Sequence, residues 1–269
     1  MSWNFSISIN TANIFYVLLL FAGAHVFKFG RFYLVLMEER KLSFFDVFFL
    51  YVRTTLVNLV IPFKLGELYR VAAVKHMSGS FKTGILLVLI DRFFDTLALL
   101  TLTLPFGLIF LHEADPVLVL LFTCLIFLFV CFRFFEPSFS YVNRFLITTK
   151  KSGRALVLLN ILDKADEWYQ YLRRLIRGRS PLVFLSSLLG WIIEFGALKL
   201  FAGTLGTRFD IEAFIRYINS LLSGGTGNIG KAYNFMGIAV FAVLTLVCLA
   251  MNGGAVKRAQ YERKGAGRK

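Results

Sequence analysis

The stretch RTTLVNLVIPFKLGELYR, Arg53 to Arg70, decides how this chain must fold. It interrupts a long apolar run with Asn58, Pro62, Lys64, Gly66, Glu67 and Arg70. A charge at bilayer depth costs about 2.5–3.5 kcal/mol on insertion scales, so intramembrane charges face partners or water rather than lipid. Backbone that leaves the helix at that depth survives only where it packs on protein or lines a cavity. Outward from this stretch, the next apolar segment carries Asp91, Arg92 and Asp95, so a polar site inside a membrane protein is expected.

The bulk composition agrees. The chain is 57% apolar and 16% aromatic, with 31 Phe among 269 residues. Soluble domains sit near ~45–50% apolar. Residues 5–27, 116–132 and 232–256 carry no Asp, Glu, Lys or Arg. Each is long enough to approach or complete a span of roughly 17–25 residues. The start, MSWNFSISIN, has no basic n-region, and the apolar run behind it is too long for a signal peptide; it reads as a retained first span. Cys124, Cys131 and Cys248 lie inside apolar runs without CxxC spacing, which speaks against a disulfide framework or a zinc site. The net charge of +14 is concentrated in the segments that flank spans. That pattern fits the positive-inside rule and anionic headgroups, not a nucleic-acid partner.

Read along its length, the chain predicts an all-α, polytopic integral membrane bundle of four to six full spans and two re-entrant hairpins. Span one is expected over Ala12–Lys28, followed by the basic link KFGRFYLVLMEERK. A broken segment follows at 44–74, then a long span at Thr83–Leu111, the link HEAD, and a span over Pro116–Phe132. From Arg133 to Arg179 the chain holds ten Lys and Arg. Within that segment Leu158, Leu162, Ala165, Trp168, Tyr169, Leu172 and Ile176 recur at helical spacing, as in a helix lying on headgroups. Span five is Pro181–Leu205, a glycine-broken segment covers 211–230, and span six is Ala232–Val256. One transmembrane domain over 1–256 is thus expected, with a basic amphipathic cytoplasmic segment at about 133–179 and a basic tail at 257–269. The charge bias puts the C-terminus in the cytoplasm and the N-terminus outside, with 44–74 and 211–230 dipping in from opposite faces. Broken helices in corresponding halves are how many transporters build a midplane site.

The residues offer binding chemistry rather than catalysis. Pro62 and Gly66 end one helix and allow a tight turn into the next. Glu67 and Arg70 are spaced to pair on that second helix. Its amino end near Lys64 and Gly66 suits an anion, and Arg53 and Arg70 present fork-shaped donors for phosphate oxygens. Asp91, Arg92 and Asp95 lie within one turn; the two acids could balance Arg53 or Arg70, meet a cationic headgroup or relay protons, or the three could simply form an ion-pair network that locks helices together. Glu194 and Lys199 do not share a helix face and should reach separate partners. In SGGTGNIG, Gly224, Gly225 and Gly227 read as a hairpin tip, since the Walker Lys-Ser/Thr order is missing. His25, His76 and His112 are isolated, and no nucleophile–base pair or metal-ligand spacing occurs. No catalytic residue, metal or cofactor is expected.

The pattern Asn58-x-x-x-Pro62-x-x-x-Gly66-Glu67-x-x-Arg70, followed by Asp91-Arg92-x-x-Asp95, resembles the lysylphosphatidylglycerol synthase transmembrane region. This is the flippase-like membrane domain of multiple-peptide-resistance proteins and of many stand-alone proteins. The resemblance covers nearly the whole chain, and it implies an inner-membrane protein that moves or handles phospholipids, aminoacylated ones included. Two positions depart from the family's pattern: Asp91 stands where Glu is usual, and the late Pro-Gly-Gly-x-Gly-x-x-Glu is replaced by Ser223-Gly224-Gly225-Thr226-Gly227 with Lys231 and no Glu. No aminoacyl-transferase domain follows span six, so lysyl-lipid synthesis is not expected of this chain.

The expected function is a phospholipid translocase. Arg53, Asn58, Lys64, Glu67 and Arg70 would form the headgroup and phosphate site. Asp91, Arg92, Asp95 and Glu194 would supply counter-charge or headgroup selection. Pro62, Gly66, Gly224, Gly225 and Gly227 would serve as re-entrant hinges. Membrane phospholipids or other anionic lipids are the expected partners, with a membrane or cytoplasmic enzyme as a further one. Two alternatives differ in class. One is a non-transporting accessory subunit of a polysaccharide or glycolipid pathway, docking an enzyme through 133–179. The other is a membrane glycosyltransferase using a polyprenyl-phosphate sugar, for which HEAD is the one acidic extracytoplasmic candidate.

Overall fold

The structure, a computed structural model, describes residues 11–37, 42–61, 65–106, 116–149, 153–223 and 228–266. Among them every regular element is a helix: α1 Thr11–Leu36, α2 Phe44–Val60, α3 Gly66–Ser78, α4 Phe81–Phe106, α5 Pro116–Thr149, α6 Gly153–Ile176, α7 Ser180–Thr204, α8 Ile211–Ser223 and α9 Asn228–Ala266. Lipid offers backbone N–H and C=O groups no partner, so such an apolar chain satisfies them within helices. Four helices are long and apolar enough to cross a membrane, over Asn13–Leu36, Val119–Thr148, Ser180–Thr204 and Asn228–Met251. α4 matches them in length but carries Asp91, Arg92 and Asp95. The protein is an all-helical membrane bundle.

Local chemistry fixes the helix ends. Ser43 accepts from the Asp46 N–H at 3.2 Å and opens α2. The Asp210 carboxylate accepts from Ala213 N–H at 2.8 Å and opens α8. α3 closes on Gly79 at φ +74°, whose N–H returns to the Lys75 carbonyl, a left-handed stop that favours glycine.

Three helices, α1, α5 and α9, run further than expected. α1 continues beyond Lys28 to Leu36, because FYLVL keeps the apolar pattern going behind two isolated cations. α5 continues beyond Phe132 through Pro137 to Thr149, so residues 133–149 extend the helix instead of opening a loop. Their charges are sparse and aromatic residues recur among them. The amphipathic stretch forms α6, which packs on α5: Tyr169 stacks on Phe135 at 4.5 Å between centroids, and Arg173 pairs with Glu136. The glycine-broken segment yields a short α8 and a long α9 that runs on through Ala266. Pro62, Lys64, Gly224, Gly225, Gly227 and the HEAD link lie outside the described residues.

The chain forms two compact units. The first holds Met1–Leu18, Lys41–Gly84 and Ala197–Lys269; the second holds Leu19–Arg40 and Ile85–Gly196. In the first, α2 packs along α9 and folds back on α3. In the second, α1, α4 and α7 bury Phe32, Leu87 and Val183. Leu120, Phe127 and Phe129 of α5 stay exposed, as lipid-facing side chains do.

Candidate functional site

In the first unit, α2 and α3 form a tight antiparallel hairpin around the break. A Cβ on Gly66 would lie 2.6 Å from the Asn58 Cα, so only glycine lets the two backbones approach this closely. The approach brings Asn58 Nδ2 within 3.2 Å of Glu67 Oε1, to which it donates. Glu67 Oε2 lies 3.5 Å from the Arg70 guanidinium, the pairing expected from their spacing. Glu67 also occupies the first turn of α3, where a carboxylate offsets the positive helix end.

The two arginines of the hairpin differ sharply. Arg70 is 5% exposed, held by its acid partner inside the unit. Arg53 is exposed, with its guanidinium 5.5 Å over the Tyr69 ring, and forms no ion pair among the described residues. Of the two proposed phosphate donors, Arg53 is therefore the accessible one. The far end of α2 is held by α9, where Asn234 Nδ2 donates to the Leu59 carbonyl at 3.2 Å. That carbonyl lies in the last turn of α2, where intrahelical partners run out.

The second unit contains a larger ionic cluster, and here the sequence had missed the central residue. Asp91 and Asp95 could have balanced Arg53 or Arg70; the structure gives them Arg31. Its guanidinium lies 2.6 Å from Asp91 and 2.7 Å from Asp95, and it donates to Ser187 Oγ at 2.8 Å. Only 3% of the Arg31 side chain is exposed. Arg92 bonds Asp91 at 2.7 Å and approaches Asp95 at 3.6 Å, while 42% of its side chain remains open. Trp191 donates its indole N–H to Asp95 at 2.9 Å. Its ring also carries the Lys28 ammonium 5.1 Å from the centroid, and Lys28 pairs with Glu194. Glu194 thus reaches a partner separate from Lys199, as its spacing required. Among the described residues, three cations and three carboxylates form one network on α1, α4 and α7, which limits the penalty of burying each.

In the sequence, Lys28 and Arg31 look like the start of a basic link. The usable signal was their spacing of one turn, followed by five more apolar residues, which keeps both on one face of a continuing helix. Ser187 and Trp191 gave no such signal, since a serine and a tryptophan in a span are ordinary residues.

A family model described as lysylphosphatidylglycerol synthase TM region matches residues 4–226. The chain belongs to this family. No curated protein and no solved structure matches it. The segment shared with the lysylphosphatidylglycerol synthase TM region contains both the α2–α3 hairpin and the Arg31 cluster. It stops at Thr226, so α9, with Lys231 and Asn234, lies beyond the matched residues.

Proposed function

We propose that the protein moves phospholipids between the leaflets of the cytoplasmic membrane, with the α2–α3 hairpin dipping into the bilayer to meet the lipid phosphate. The observation that carries this reading is Arg53. A guanidinium on an apolar helix, exposed and without an ion pair among the described residues, needs water or a ligand anion to offset its charge. A phosphate matches its fork of donors, and stacking on Tyr69 orients it. Arg70 and Asn58 serve the site indirectly by holding Glu67, which keeps the acid away from an incoming phosphate. The family supports a lipid-related role in the membrane. The Arg31 cluster acts as a lock that keeps α1, α4 and α7 aligned. Charge bias orients the chain with its N-terminus outside and its C-terminus in the cytoplasm.

Reconstitution into proteoliposomes with acyl-labelled fluorescent phospholipid tests the reading, with dithionite quenching to report the outer leaflet. The wild-type protein should expose inner-leaflet label to the quencher. Arg53→Ala should slow this by about tenfold or more, the loss of a charge-assisted hydrogen bond of ~1.5–3 kcal/mol, while elution volume and melting temperature stay unchanged. A wild-type protein that moves no lipid, or an Arg53→Ala protein as fast as wild type, refutes the proposal.

A further inference from the structure

We infer that Arg174 and Arg177, at the end of α6, clamp the phosphate of one anionic phospholipid whose acyl chains lie along the exposed face of α7. The inference goes beyond the translocase reading. It concerns a resident lipid on the second unit, whereas Arg53 belongs to the first, and it stands whether or not the protein moves lipid. Sequence supplies the charge. RRLIRGR, Arg173 to Arg179, holds four arginines, and no Asp or Glu occurs between Glu167 and Glu194. A basic cluster immediately outside a span attracts anionic lipid. The structure separates the committed arginines from the rest. Arg173 pairs with Glu136 of α5, and Arg179 donates to the Leu34 carbonyl at 3.3 Å. Arg174 and Arg177 are exposed and form no ion pair among the described residues.

Their geometry suits a single phosphate. The Arg177 N–H donates to the Arg174 carbonyl at 3.3 Å, so the helical turn continues from one residue to the other. Positions three apart on such a turn have Cβ atoms about 5–6 Å apart, close enough for two guanidinium forks to share one phosphate. Arg174 is also held 5.5 Å over the Tyr171 ring, which reduces the freedom it loses on binding. The chain that follows indicates the rest of the ligand. Gly178 turns the backbone at φ +70°, and α7 begins at Ser180. α7 is apolar enough to cross a membrane, and Leu182, Leu185 and Ile192 are exposed on it. Their spacings of three and seven make one apolar stripe about 15 Å long. The five residues from Arg177 to Leu182 reach at most ~18 Å, even fully extended. A phospholipid covers one leaflet, about 20 Å, so a molecule held at the arginines reaches the stripe. An acidic protein or a free phosphate would use the arginines and leave the stripe idle. A zwitterionic lipid would bring its ammonium to a face where Glu136 is already taken by Arg173.

Native mass spectrometry of the delipidated protein in detergent, titrated with phosphatidylglycerol or phosphatidylcholine, tests the site. Wild type should retain one phosphatidylglycerol roughly tenfold more tightly than phosphatidylcholine. An Arg174→Gln, Arg177→Gln double variant should lose that preference. Arg208→Gln, which removes another exposed cation, should keep it. Equal affinities in the wild type, or an undiminished preference in the double variant, overturn the inference. An equal loss in Arg208→Gln also overturns it, because diffuse net charge would then attract the lipid without a clamp. A second arm needs no variant: phosphatidylglycerol with a photoreactive acyl chain should crosslink within residues 182–192 of the wild type. Labelling confined to other segments overturns the assignment. Neither readout involves transport, so both stay decisive for a protein that moves no lipid.

Discussion

At the scale of single residues, the firmest constraint is steric. Gly66 lies where any Cβ would collide with the Asn58 backbone, so Gly66→Ala must push α2 and α3 apart. Overpacking of this kind costs typically 1–3 kcal/mol, and here it should also break the Asn58–Glu67 bond. A lowered melting temperature in detergent, with faster amide exchange over residues 55–61 and 65–70, is the expected result; wild-type values for both would show that the hairpin is looser than described. Much of this was legible beforehand. Asn58, Gly66, Glu67 and Arg70 fell at spacings that bring them together once a turn is placed between them. The division of labour between the arginines was not legible, because Arg53 and Arg70 look alike in sequence and differ only in what α3 covers.

At the scale of elements, ionic partners fasten α1, α4 and α7. Removing Arg31 would leave Asp91 and Asp95 buried without their central cation, a change expected to cost about 3–5 kcal/mol. Asp91→Asn alone should also destabilise, and a thermal-unfolding cycle with Arg31→Ala should show strong coupling. Additive effects would mean that the contact carries no energy of its own. The acids were visible from sequence, but their partner was not. Charge spacing reveals pairs within one helix, whereas Arg31 and Asp95 meet only through the packing of α1 on α4. The length of α5 is hidden in the sequence for a related reason. Arg133, Glu136 and Pro137 mark an end when read as a string, yet Glu136 has Arg173 of α6 to receive it and the helix continues.

At the scale of the whole molecule, uncharged apolar runs at 5–27, 116–132 and 232–256 mark α1, α5 and α9, while α4 and α7 are apolar runs interrupted by charges, and the helical architecture follows from these runs directly. Charge bias gives an orientation that labelling can check. In a background lacking Cys124, Cys131 and Cys248, a cysteine at Gln170 should react with a membrane-impermeant maleimide only from the cytoplasmic side, and one at Arg208 only from the outside. Both positions are exposed. Reaction from the same side would overturn the orientation. Trp191 adds a practical consequence. It carries a cation against its ring and an anion at its indole N–H, so its fluorescence reports the local electric field. With Trp3 and Trp168 replaced by phenylalanine, the emission colour becomes an optical gauge of whether the α1–α4–α7 charges stay balanced, readable in real time in an intact membrane.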